Sequence, residues 1–141
     1  MATLEKSRVK PGSGYRKFIA SVLTHALSRE IARKNFEVVL EGNLDLHNPE
    51  SDAPDVIVYA IHNNYAPTQM IELCDNASEQ STLKTMEIIR EIYFVKEAFV
   101  YNYEKEVWYN CNSFQLQLSS YSNQFQIELD DLLRKYLHRY I

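Results

Sequence analysis

Five consecutive residues, Val56-Ile57-Val58-Tyr59-Ala60, are apolar or aromatic. Side chains on a strand point alternately to opposite faces, so a strand made of this run shows hydrocarbon to both sides of its sheet. Such a sheet needs covering on both faces, and helices are the usual cover. The sequence supplies them. Phe18, Ile19, Val22, Leu23, Ala26, Leu27 and Ile31 recur at spacings of three and four, which predicts a helix from Tyr15 to Lys34 with Arg16, Lys17, Arg29 and Arg33 off the apolar stripe. A second helix is predicted over 82–93, with Leu83, Met86, Ile89 and Tyr93 on one side. A closing helix follows over 128–140, carrying Leu129, Leu132, Leu133, Tyr136 and Leu137.

The remaining strands are short. Phe36 to Leu40 is β-branched and ends at the turn Glu41-Gly42-Asn43; Gln69 to Leu73 is a further strand after a connection over 61–68. Leu44 to Leu46 and Phe114 to Leu118 read as additional short strands, with a polar loop from His47 to Ala53. Ala98 to Tyr101 and Val107 to Cys111 form a hairpin about Tyr103-Glu104-Lys105. Asp75-Asn76-Ala77-Ser78 is rich in helix N-cap residues. The order predicts an α/β fold, a central mixed sheet flanked by helices.

Composition bounds the function classes. With 141 residues, 45% hydrophobic and 24% charged, the chain fits one soluble domain over 15–141 behind a flexible basic tail over 1–14. Two cysteines, Cys74 and Cys111, exclude a disulfide scaffold and a CxxC zinc site and fit a reducing cytoplasm. No run approaches the roughly 20 apolar residues of a membrane span, and the start lacks the apolar core of a signal peptide, so a cytoplasmic protein is expected. The net charge of -4 excludes a global basic field. Its distribution is uneven: residues 1–34 hold eight basic against two acidic residues, a net +6, and the rest hold seven against seventeen, a net -10. Such asymmetry belongs either to a face that docks a polyanion or to a solvated tail and helix face.

One pair of residues carries potential chemistry. Asp55 opens one buried strand and Glu72 lies near the end of the next. If the two strands form an antiparallel hairpin in the register that pairs 55 with 72, the carboxylates share a face, with Cβ atoms about 4.5–5.5 Å apart. Two carboxylates so close repel and invite a hard divalent cation, which can activate water and stabilise charge growing on a phosphodiester. On spacing alone, the simpler reading is two exposed strand-end acids that never meet.

Pro54-Asp55 followed by Ile71-Glu72-Leu73-Cys74 resembles the PD…ExK signature of restriction-endonuclease-like nucleases. More specifically, the chain resembles the Uma-two family of small bacterial endonuclease-like proteins from Tyr15 to about Leu133. The likeness runs through the long first helix, FEVVLEGNLDL, the second acidic strand and the helix after it. It continues through the strand from Val95 to Tyr101 and a closing segment over 125–133. The resemblance implies a restriction-endonuclease-like fold and DNA cleavage with Mg²⁺ (or Mn²⁺), Asp55 and Glu72 acting as metal ligands. Cys74 stands where the ExK pattern has lysine. The family often supplies that lysine from the following helix, which here points to Lys84 as a third catalytic residue that orients water or neutralises transition-state charge; otherwise Lys84 is an ordinary solvated lysine. The chain also departs from the family at Asp75-Asn76-Ala77-Ser78, at Tyr93-Phe94 where glycine is common, and at Asn102 where aspartate is common. A degraded copy of the fold, kept as a dimeric interaction or nucleic-acid-binding module, is the alternative.

Other residues have bland readings beside sharp ones. Cys74 shares a strand face with Glu72 and would serve as a soft ligand, as a nucleophile with His62, or as a small buried side chain. His25 and Glu30 on the first helix would add polar contacts to a site or sit at its surface. Glu97 matches a recurrent acid of the family, in a structural or a catalytic role. Aromatic residues crowd 93–109 among Glu97, Glu104 and Glu106, which fits core packing and a subunit interface better than base stacking. A homodimer is expected.

Overall fold

In a computed structural model of the chain, describing residues 13–31, 35–112 and 116–140, a single alternation sets the layers. The elements are α1 (Ser13–Ile31), β1 (Phe36–Leu40), β2 (Val56–Ala60), β3 (Ala66–Cys74), α2 (Glu79–Tyr93), β4 (Glu97–Asn102), β5 (Val107–Asn110), β6 (Tyr121–Ser122), β7 (Ile127–Glu128) and α3 (Leu129–Leu137). Strands β1 to β5 make one sheet in sequential order. Its pairings are antiparallel except β3 with β4, which are parallel and joined through α2. Val56, Val58, Ile71, Leu73, Phe99 and Tyr101 pack in one apolar cluster with α1 and α3. Their strand neighbours Ile57, Tyr59, Met70, Cys74, Ala98 and Val100 pack in a second cluster with Met86 and Ile89 of α2. Odd and even positions thus face opposite layers, and every residue of β2 is buried, as its unbroken apolar run requires.

The fold class is the expected one: a mixed sheet flanked by helices. Strands β1 and β2 have the predicted bounds. α1, β4 and β5 shift by one or two residues at an end, and four other elements differ more. β3 begins at Ala66 and not Gln69, because a register shift after Val58 lets Pro67 pair with Tyr59. Proline is tolerated there since β4 joins only from Gln69 onward, so that end of β3 has one neighbour and needs no second donor. α2 starts at Glu79, three residues before the predicted position. Leu44–Leu46 is not a strand. Asp45 folds the chain back by accepting from the His47 N–H, while the Leu44 N–H donates to Asp52 and its side chain is buried. The closing helix ends at Leu137 and passes into a 3-10 turn, His138–Tyr140.

Of the β6–β7 hairpin, β7 falls in the closing segment over 125–133, where the resemblance implies a strand before the leucine-rich helix; β6 has no counterpart in the sequence. Of the proposed strand over 114–118, Phe114 lies outside the described residues and Gln117 makes a single bridge to Asn110. The proposed tail over 1–14 lies outside them through residue 12, while Ser13 and Gly14 already belong to α1; the end of the first helix over 32–34 also lies outside them. Among the described residues no helix is long and apolar enough to cross a membrane.

The aromatic crowding at 93–109 is largely interior: Phe99, Tyr101, Tyr103 and Trp108 are buried. Trp108 stacks at 4.7 Å on Tyr101, and its indole N–H donates to Asp130 at 3.0 Å.

Candidate active site

Where β2 begins and β3 ends, the pairing Val56↔Ile71 sets Asp55 opposite Glu72. Each carboxylate is pinned by the other strand's geometry. The Asp55 N–H donates to Glu72 Oε1 at 2.8 Å, and the Leu73 N–H donates to Asp55 Oδ2 at 2.7 Å. These bonds fix the acids relative to the sheet and leave Asp55 Oδ1 and Glu72 Oε2 for another partner.

That partner is Arg16, in the first turn of α1. Its Nε lies 3.2 and 3.1 Å from the two Asp55 oxygens, and its Nη2 lies 2.9 Å from Asp55 Oδ2 and 3.4 Å from Glu72 Oε2. Burial opposes the guanidinium charge, but the hydrogen bonds and charge of Asp55, then of Glu72, hold its pKa above the ordinary value. Burial, followed by the neighbouring Asp55 charge, pushes the Glu72 carboxyl up to about 8. A site with a cation shared between two acids, one of them reluctant to ionise, is short of positive charge.

The sequence reading of helix α1 missed Arg16, which counted there only toward a basic segment. The signal was its place: a cation in a helix's first turn opposes the helix dipole, so it needs an outside anion. Of the other basic residues in that segment, Lys6, Arg8, Lys10, Arg33 and Lys34 lie outside the described residues.

The other singled-out residues are not drawn to this pair. Lys84 is exposed on α2 and makes no hydrogen bond or ion pair with either carboxylate. Cys74 is 1% exposed within the second apolar cluster, and burial, with the charges of Glu79 and Asp75, pushes its thiol up to about 12. His62 lies in the turn before β3, at the far end of that strand from Cys74, so the two form no nucleophilic pair. His25 packs edge-on against Tyr136 at 5.8 Å. Glu30 is fourteen residues along α1 from Arg16, about 21 Å away at 1.5 Å per residue.

Glu97 and Asn102 tie elements together. Glu97 is buried and accepts from Gln69 Nε2 at 2.8 Å, Ser122 Oγ at 2.5 Å, and the N–H groups of Asn123 and Gln124. It fastens the β6–β7 hairpin to the sheet. Asn102 donates to Asn76 and Glu79 and accepts from the N–H groups of Glu104 and Lys105. An aspartate could not donate to Glu79, so the amide suits this chain's turn.

The residues present fit a divalent cation of the magnesium type. Among the described residues no group of three or more His, Cys, Asp or Glu side chains is placed to hold a metal. Asp55 and Glu72 would therefore supply two carboxylates and leave the other positions to water and phosphate, as Mg²⁺ sites commonly do.

No family model matches the chain, and no curated protein matches it. Among solved structures it is similar to that of a candidate nuclease belonging to DUF820 from Anabaena variabilis ATCC 29413. The TM-score is 0.66 at 12% identity, over 89% of this chain and 83% of that one. A likeness at that identity shows the fold alone: this chain shares the mixed α/β architecture of the DUF820 structure.

Proposed function

We propose that the chain is a nuclease-like domain of the Uma-two type, hydrolysing phosphodiester bonds of DNA with Mg²⁺ or Mn²⁺ held between Asp55 and Glu72. One observation carries this reading. Two carboxylates fixed by backbone N–H groups converge on a single nitrogen of Arg16, 2.9 and 3.4 Å away, which marks a cation position common to both. A divalent ion there would supply Lewis-acid stabilisation of the charge growing on a phosphodiester and make water a better nucleophile. The chain's own part is to hold those oxygens still. Burial and the Asp55 charge raise the Glu72 carboxyl to about 8, so a divalent ion would compete with its proton as well as with Arg16. Arg16 is the cationic side chain beside the reacting position, and its planar fork suits two phosphate oxygens. Lys84 has no part in this scheme.

A second reading has its own observation. The position between the carboxylates is taken by a side chain of the same protein, and a buried Cys74 follows where a lysine would complete the motif. That is the geometry of a fold kept for binding without catalysis.

Calorimetric titration with Mn²⁺, alongside plasmid cleavage, separates the two for wild type, Asp55→Ala and Glu72→Ala. The nuclease reading requires binding and cleavage in wild type and neither in the two variants. Absence of Mn²⁺ binding by folded wild type at millimolar concentration leaves the non-catalytic module.

A further inference from the structure

We infer that Arg16 is an internal counter-ion that a divalent cation must displace, and that a phosphodiester in the adjoining pocket draws it away. The inference rests on the metal reading above and adds a control to it. The guanidinium hydrogen-bonds Asp55 at 2.9 to 3.2 Å and forms an ion pair with Glu72 Oε2 at 3.4 Å, so it fills the space an ion would need at about 2.0–2.1 Å from the same oxygens. The two cations exclude each other.

Mobility falls on the arginine. The carboxylates are anchored by the Asp55 and Leu73 N–H groups and their side chains are 12% and 26% exposed, whereas that of Arg16 is 39% exposed. Its exit is a pocket of about 440 Å³ lined by Arg16, Lys17, Leu40, Glu41, Ala53 and Asp55. Two basic and two acidic residues line it, so without a metal the pocket has no net attraction for an anion. A divalent ion on Asp55 and Glu72 tips that balance to positive and frees Arg16 to join Lys17 as a phosphate contact. Metal and phosphodiester therefore favour each other's binding, and linkage makes the coupling reciprocal. Neither alone loads the site well.

The test is Mn²⁺ titration of the full chain by calorimetry, for wild type, R16Q and R16K, with and without a hydrolysis-resistant phosphorothioate DNA duplex of about 12 base pairs. Circular dichroism reports folding. Hydrogen bonds to charged groups are worth enough that R16Q should bind Mn²⁺ about tenfold more tightly than wild type in the absence of DNA. R16K, a point charge without the fork, falls between and serves if R16Q does not fold. The duplex should raise wild-type affinity for Mn²⁺ by a larger factor than it does for R16Q. Equal Mn²⁺ affinity in all three proteins overturns the counter-ion role while the carboxylate metal site stands. An equal DNA effect in wild type and R16Q overturns the displacement by phosphodiester. No Mn²⁺ binding by any folded protein overturns the metal reading and this inference with it.

Discussion

Glu72 holds a proton into a range where an exposed glutamate has long lost one, because its carboxyl is buried and faces the charge of Asp55. This has a consequence for stability. Below about pH 4.5 the folded and unfolded chains both carry the Glu72 proton. Between there and about pH 8 only the folded chain does, so folded-state stability falls as pH rises and the loss is complete above 8. In metal-free protein, thermal or urea melts at pH 5 and pH 8 should differ by a few kcal/mol on the order implied by that shift. Glu72→Gln should remove most of the difference. A variant with the wild-type pH slope would show that another group carries it. At this scale the sequence was half legible. The meeting of Asp55 with Glu72 follows from strand register, a property of neighbouring positions. Arg16 lies 39 residues from Asp55, and nothing in a charge count says which of eight basic residues finds a buried acid.

Elements were legible where one residue pattern decides them. β1 and β2 are β-branched runs ending in turn residues, and their bounds follow. β6 and β7, two residues each, are too short to show a period; the acceptor oxygens of Glu97 hold them in place, and a lone acid in sequence does not announce that role. The end of α2 is instructive in the other direction. Phe94 caps it in the left-handed region at φ 55°, with its N–H donating to Arg90 O and its side chain 88% exposed. Residues with a Cβ pay a steric cost in that conformation that glycine avoids. Because Phe94 buries so little, Phe94→Gly loses almost no packing and should stabilise the protein by about 1 kcal/mol. The check is a rise in the denaturant midpoint with an unchanged slope. A fall would mean that the ring has a partner outside the described residues or in a second molecule.

At the scale of the whole molecule, two apolar clusters lie on opposite sides of one sheet and share its strands. Neighbouring residues such as Ile57 and Val58, or Met70 and Ile71, serve different clusters from the same backbone. That sharing couples the layers: loosening α2 exposes strand faces whose other sides support α1 and α3. The chain should therefore unfold in one step, as most single domains of this size do. Trp108, the sole tryptophan, lies in the cluster of α1 and α3, so its fluorescence reports that side alone. Met86 is 1% exposed in the cluster of α2. Met86→Ala should cost about 2–5 kcal/mol through the cavity it leaves. If the layers are coupled, the lowered transition appears at the same midpoint in tryptophan fluorescence and far-ultraviolet circular dichroism, although the mutation and the probe sit on opposite faces. If instead ellipticity falls first and the Trp108 signal holds to the wild-type midpoint, the α2 layer melts by itself. The carboxylates depend on β2 and β3, which both layers clamp, so independent melting of α2 would loosen Asp55 and Glu72 while α1 still held Arg16 over them.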